Sequence, residues 1–528
     1  MTAVWDAVVI GGGANGLVSA CCLAKAGRRV LLLERSDSLG GQGQVTEFAP
    51  GYRATPLCCD AGWLPPPVAR ALGLPLLELV VPDPTVAVPA GSREWLVLPA
   101  DVARAAEAIR RYSPGDAEQW NPFCTRVAKL ARFLEALYTR PPPDIDSSAV
   151  ADLIPLLGLA RKFRGLGKQD MVQLLRVMPM AVRELLDDQF EFGPLKAALA
   201  AGGIKDIRQG PRSGGTAFVL LHHQVGAAKG AMRGRGYWKT GPDALNVALI
   251  GLAQRFGVTV RTSAEAAQVS VRDDRVVGVV LADGEEIVTD TVLSSADPVG
   301  TLLGMVDPVW LDPEFLLAVR NIKLRGNSAR VLYALDGLPE FAGLPDAGRA
   351  LAGTLSLTSS LDDLERAADA AKYGRVSERP HIELQVPSVR WAGHAPAGKH
   401  VLVAKVQSAP FRLREGEWTE DRRSALGDRV TTAIAELSPG FPALVRHREV
   451  LVPADLEARY RLTEGAVTQG EMTLDQILFM RPVAGASRYA TPLAGLYLSG
   501  AGTHPGSGIA GGPGWLAARR VLADRRRK

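Results

Sequence analysis

Short apolar runs alternate with glycine-rich turns at the start of this chain. Residues 8–10 are Val-Val-Ile; they run into Gly11-Gly12-Gly13-Ala14-Asn15-Gly16 and then into the mostly apolar residues 17–26, closed by Gly27. That pattern predicts a buried strand, a glycine turn and a helix with Gly27 as its C′ residue. Residues 29–33 predict a second buried strand, ended by Glu34. Farther on, Leu245, Ala248, Leu249, Leu252, Ala253 and Phe256 recur at helical spacing before Gly257 and a strand over 258–260. Apolar stretches at 269–271, 276–281 and 287–288, parted by Asp273-Asp274 and Asp283-Gly284, predict a hairpin-linked meander. A strand over 291–294 then stops at Ser295-Ala296-Asp297-Pro298. Residues 328–335, 381–386 and 400–407 predict strands of a separate sheet, whereas 149–199 are patterned as helix. Near the end, residues 495–498 run into Ser499-Gly500-Ala501-Gly502-Thr503-His504-Pro505-Gly506-Ser507-Gly508 and a helix containing Trp515, Leu516, Val521 and Leu522, with Pro513 in its first turn.

Two of these turns carry candidate chemistry. Gly11, Gly13 and Gly16 occupy G-x-G-x-x-G positions between a strand and a helix. The first permits the tight turn, the second lets backbone approach a pyrophosphate, and the third lets helix and strand pack closely. The helix N-terminus then offers unpaired N–H groups and partial positive charge to the phosphates. Glu34, at the end of the next strand, is placed to accept hydrogen bonds from an adenosine ribose and disfavours a 2′-phosphate, hence NADP. The glycines at 500–508, leading into the last helix, make a second polar cradle.

Composition narrows the classes. A length of 528 residues predicts two domains, or one with large insertions. The formal charge is +5, but Arg525, Arg526, Arg527 and Lys528 contribute four of it, which leaves no basic footprint for nucleic acid. The cysteines, Cys21-Cys22, Cys58-Cys59 and Cys124, lack the C-x-x-C spacing of a zinc site or redox dithiol, so no metal is expected and they read as buried small hydrophobes. A first strand starting near Trp5 leaves no room for a leader, and no run of 18 apolar residues occurs. The expected location is the cytoplasm. The helical stretch carries Arg161, Lys162, Arg164, Lys168, Arg176 and Arg183 and reads either as a cap over a substrate tunnel or as a peripheral contact with an anionic membrane surface.

With Ser36-Asp37-Ser38-Leu39-Gly40-Gly41 added, the chain resembles the FAD-dependent phytoene desaturase and amine oxidase superfamily. The terminal G-A-G-T-H-P-G-x-G run is similar to the C-terminal signature of phytoene desaturase-like enzymes. Residues 218–223, 234–238 and 472–482 resemble the branch called pyridine nucleotide-disulfide oxidoreductase domain-containing protein 2. The resemblance implies FAD as cofactor and an α/β fold: a discontinuous Rossmann-type FAD-binding domain, a mixed-sheet substrate domain and a helical cap. It divides the chain into FAD-binding parts at 1–80, 211–298 and 466–528, substrate-domain parts at 81–210 (with the cap) and 299–465. It places FAD contacts on Gly11, Gly13, Ala14, Asn15, Gly16, Glu34, Arg35, Gly40, Gly41 and Val269, the last through its backbone to the adenine. At the other end the contacts fall on Gly500, Gly502, Thr503, Gly508, Ile509 and Ala510. Three departures stand out. Gln42 follows Gly40-Gly41 where many members have Arg, so a guanidinium is missing or supplied from elsewhere; Ala501 follows Gly500 where many flavoproteins have Asp; and Gln469 precedes Gly470-Glu471 where the branch often has His.

A flavin performs redox chemistry through its own ring, so the protein supplies position, a dry pocket and electrostatics. The implied activity is a dehydrogenase or desaturase of a hydrophobic, polyene- or acyl-like small molecule. The rivals are a double-bond isomerase using reduced FAD and a FAD-stabilised binding or regulatory protein. His504 is the candidate polar group near the flavin or, equally, a backbone-bonded turn residue. Arg481 faces the flavin or substrate, or makes a surface salt bridge. His222 and His223 read as satisfied core or turn histidines, and Tyr237 and Trp238 as tunnel lining or packing.

Overall fold

The computed structural model describes residues 5–57, 60–143 and 150–527. Cys58, Cys59, residue 149 and Lys528, invoked above, lie outside them. The first strand, β1 (Ala7–Ile10), is buried at every residue and leads through the glycine turn into α1 (Ala14–Lys25). Gly27 follows at φ 81°, as a left-handed C′ glycine should. The second strand, β2 (Val30–Leu33), is also wholly buried. The first is the central strand and the second its neighbour in a five-stranded sheet in which Leu496–Leu498, Val292–Ser294, β1, β2 and Thr259–Arg261 lie side by side, every pairing parallel. Continuous apolar runs are what a parallel strand covered on both faces requires. On one side α1 packs with the helices Ala244–Arg255 and Gly512–Arg527. On the other lies the antiparallel meander Ala266–Arg272, Arg275–Leu281, Glu286–Val288.

A seven-stranded mixed sheet forms the second layer, in the order Val445–Leu451, Ser328–Leu335, His400–Gln407, His381–Gln385, Thr354–Ser356, Val86–Gly91, Glu94–Leu98. Only the pairing of Thr354–Ser356 with Val86–Gly91 is parallel. The helices Val150–Arg164, Lys168–Val177, Val182–Asp187 and Gly193–Gly203 gather with Pro114–Tyr138 and Thr216–Gln224 in a third, helical region. Its outer surface exposes Leu157, Val172 and Leu175. Among the described residues, no helix is long and apolar enough to cross a membrane.

Candidate cofactor and substrate site

One cavity of about 1330 Å³ runs from the tips of β1 and β2 to the face of the seven-stranded sheet. That exceeds the roughly 300–1,000 Å³ of a pocket for one drug-sized ligand, which leaves room for a dinucleotide and a second molecule. Gly11, Gly13, Ala14, Asn15, Glu34, Arg35, Gly40 and Gly41 line it.

The three motif glycines meet different demands. Gly11 holds φ 94°, and a Cβ there would lie 2.4 Å from Ser295 Oγ. At Gly16 a Cβ would lie 1.9 Å from the Gly11 carbonyl oxygen; this residue is buried and does not line the cavity. At Gly13 the nearest atom is Gly41 Cα, 3.8 Å away, an ordinary contact. The protein itself therefore tolerates a side chain at Gly13; the space it would fill is the cavity in front of the α1 N-terminus. Asn15 Oδ1, beside it, has no hydrogen-bond partner. Glu34 accepts from Gly12 N–H at 2.7 Å through one oxygen and from Ser36 N–H at 2.8 Å through the other, which locks the turn it terminates. A cradle of backbone N–H groups at a helix start, closed by a carboxylate at the next strand end, fits a dinucleotide.

The far cradle is tied to this one by a single chain of contacts. Ser295 Oγ donates to the Ile10 carbonyl at 2.9 Å; Gln469 Nε2 donates to the Ser295 carbonyl at 3.2 Å, and Gln469 Oε1 accepts from Gly502 N–H at 3.1 Å. Gly508, Ile509 and Ala510 line the cavity. Gly500, Gly502 and Thr503 do not. A Cβ at Gly500 would meet Gln469 Oε1 at 2.5 Å, one at Gly502 would meet Pro298 at 2.3 Å, and Thr503 Oγ1 donates to the Gly500 carbonyl at 2.9 Å. These three build the turn and leave the lining to their neighbours.

Three further expectations are corrected. Val269 is buried outside the lining and its N–H is donated to the Met305 carbonyl at 2.7 Å, so that backbone donor is already committed; Ala264, Glu265, Ala266 and Ala267 line the cavity instead. His504 lies outside the lining, 1% exposed, its ring edge-on to Tyr138 at 5.8 Å. Burial pushes its imidazole down to about 4, so it stays neutral near pH 7. Arg481 is no surface residue: its guanidinium donates to the carbonyls of Thr468, Gly470, Glu471, Gln476, Ala501 and Thr503. It sews the 468–476 segment to the cradle turn and has no face toward the cavity.

The histidines divide. His222 is satisfied, with Nδ1 against Tyr138 Oη and Nε2 against the Ser507 carbonyl, both at 2.8 Å. His223 lines the cavity and its Nδ1 has no partner. Trp238 lines it too, while Tyr237 stacks under the Arg390 guanidinium, 4.5 Å from its centroid. Gln42 donates to the Val467 carbonyl at 3.1 Å. A guanidinium near the cradle comes from Arg235 instead: a Cβ on Gly508 would lie 2.6 Å from its Nη1. Cys21, Cys22 and Cys124 are free thiols that burial pushes up to about 12, which makes them poor redox centres.

Sequence reading missed the sheet-side wall, where Lys205, Asp206, Arg233, Arg330, Glu383 and Lys405 line the cavity. A wall of these charges does not match a bare polyene. The signal was a long cationic side chain inside a mostly apolar strand, Arg330 in Ser328–Leu335 and Lys405 in His400–Gln407.

A parallel sheet with a phosphate cradle at its switch point, a second cradle from the chain end and a joined substrate sheet define a flavin-dependent oxidoreductase. Residues 9–57 match the NAD(P)-binding Rossmann-like domain family. Mouse pyridine nucleotide-disulfide oxidoreductase domain-containing protein 2 is 33% identical, over 98% of this chain and 94% of its own. Hydroxyneurosporene desaturase of Rubrivivax gelatinosus is 27% identical, over 98% and 93%. The solved structure of wild-type putrescine oxidase bound to putrescine shares the fold across 100% of both chains, with a TM-score of 0.60 at 14% identity. The chain belongs to the family of pyridine nucleotide-disulfide oxidoreductase domain-containing protein 2, among the phytoene desaturase-like oxidoreductases, and its cofactor is FAD.

Proposed function

We propose that the protein is a FAD-dependent dehydrogenase that introduces unsaturation into an acyl-like organic substrate lodged between the cofactor cradle and the seven-stranded sheet. The observation that carries this reading is the single cavity joining the two, because it brings a second molecule against the cofactor without a barrier. The relationship to a desaturase supports a carbon–carbon bond as the point of reaction.

FAD bound there would supply two-electron redox chemistry, accepting one hydride from a substrate carbon while the neighbouring carbon gives up a proton to water, which leaves a double bond. The chain's own residues do the rest. Ala14 and Asn15, at the α1 N-terminus, would hold the pyrophosphate end, Glu34 the ribose, and Gly508, Ile509 and Ala510 the opposite end. Arg235, with Nε and Nη2 donated to the Val225 and His222 carbonyls, keeps a fixed positive charge beside Gly508. Between two acyl- and polyene-like classes, the charged wall favours the acyl class.

Anaerobic mixing of the FAD-loaded protein with saturated acyl compounds tests the proposal. Bleaching of the visible flavin band together with an unsaturated product is expected. Product formed only after prior reduction, without net electron uptake, would establish isomerisation in its place.

A further inference from the structure

The cavity face of the seven-stranded sheet carries more positive charge than the fold needs. Arg330 lies directly opposite Lys405, and Glu383 lies opposite Lys405 on its other side, so three ionisable side chains form one row across three strands. Their neighbours on each strand, Ala329 and Val331, Ala404 and Val406, Ile382 and Leu384, point the other way into the core. The row is not a solvated face: Arg330 is 2% exposed and Glu383 9%.

Like charges placed opposite one another destabilise a sheet. Asp206, on the segment after Gly193–Gly203, relieves the clash by pairing with Lys405 at 3.0 Å and Arg330 at 3.6 Å. One carboxylate thus serves two cations. The other two carboxylates at this end are already committed, Glu383 to Arg233 at 2.5 Å and Asp60 to Lys205 at 3.0 Å. Around this row the lining holds five cations, Lys205, Arg233, Arg235, Arg330 and Lys405. It contains three carboxylates, Asp60, Asp206 and Glu383. An ammonium has three donors, and among the described residues Asp206 is the one ion-pair partner of Lys405. Beside this end His223 keeps an unpartnered Nδ1. Apolar side chains would seal the sheet without the desolvation penalty of several kcal/mol that each buried charge carries. Retained and undercompensated cations in a cavity wall mark a site for an anion.

We propose that this wall binds the oxyanion of the substrate, a carboxylate or phosphate ester, with Lys405 as its anchor, Arg330 adding charge beside it, and the carbon chain reaching back toward the cofactor cradle. This assignment rests on the dehydrogenase reading for the identity of the ligand as substrate, but its test does not use turnover.

The FAD-loaded protein is titrated near neutral pH with octanoate, octyl phosphate and octanol, and binding is followed by calorimetry and by perturbation of the visible flavin spectrum. At least one of the two anions is expected to bind about tenfold or more tightly than octanol, and the better of them identifies the oxyanion. Lys405→Gln should erase that preference. Asp206→Asn, which frees Lys405 from its carboxylate, is compared with wild type at pH 6, where the ammonium stays protonated without that carboxylate's support; it should tighten anion binding several-fold and decides the matter if the lysine variant fails to load FAD. Octanol binding as tightly as both anions overturns the assignment, as does unchanged anion affinity in either variant. A neutral compound that bleaches the flavin while neither anion binds removes the oxyanion site and leaves the dehydrogenase reading intact; anion binding with no reductant found does the reverse.

Discussion

Replacing Gly13 with Val separates what the fold needs from what the cofactor needs. Gly13 is the N-cap of α1 at φ −74°, ψ 175°, a conformation open to any residue. Its added Cβ would touch only Gly41 Cα at 3.8 Å, so the apoprotein should lose about 1 kcal/mol or less, mostly from the poorer cap. Such a loss lowers the melting temperature of a chain this long by only about 1–2 °C. The side chain would stand where phosphate oxygens meet the helix N–H groups. A hydrogen bond to a charged group is worth about 1.5–3 kcal/mol, so displacing two costs about 3–6 kcal/mol. That corresponds to FAD affinity weaker by about 10² to 10⁴. The assay compares visible flavin absorbance per protein in purified wild type and variant, then measures melting of both after FAD is removed. Wild-type flavin content in Gly13→Val would refute the cradle assignment. An apoprotein as unstable as the Gly16 variant described next would show that folding, not the cofactor, requires this glycine.

Gly16→Ala should destabilise the protein itself by more than about 3 kcal/mol, because its Cβ would overlap the Gly11 carbonyl oxygen at 1.9 Å; chemical denaturation of the apoprotein measures it. Arg481→Met should cost about 3–5 kcal/mol and release FAD, since six buried carbonyls lose their donor; a stable variant with normal flavin would show that the cradle turn holds without it. His504→Gln should leave the rate of flavin reduction within about threefold, because the ring does not reach the cavity; a drop of about 10² in stopped-flow reduction would restore it as a catalytic candidate. Octanoate affinity should hold steady from pH 6 to 7 and fall as pH rises through about 8 and above. Burial, Lys205 and Arg330 push the Lys405 ammonium down to about 8 against the opposing pull of Asp206 and Glu383, and only its protonated form attracts the anion. Asp206, held near 2, stays ionised over that range, and His222 and His223, both pushed down by burial, stay neutral. Affinity unchanged to pH 10 would remove Lys405 as the anchor.

The sequence by itself determined the cofactor end. A pyrophosphate cradle is made within some thirty consecutive residues by backbone geometry, so glycine positions and Glu34 reveal it directly. For the same reason the buried strands, α1 and the meander were legible from periodicity, since each element's pattern reports its own burial. Tertiary structure decided everything that depends on which way a side chain turns. Val269 and His504 lie in the right segments, yet Val269 spends its N–H on the Met305 carbonyl and packing buries the His504 ring, while Ala266 and Ile509 face the cavity. Arg481, expected to face the flavin or substrate or to make a surface salt bridge, became a buried tie because residues 468–476 and 501–503 converge on it. Arg235 supplies, from a distant stretch, the guanidinium that Gln42 does not. The substrate wall was least legible: Arg330, Lys405, Glu383 and Asp206 are up to 199 residues apart in the chain, and only strand register and one inserted carboxylate make them a single charged surface.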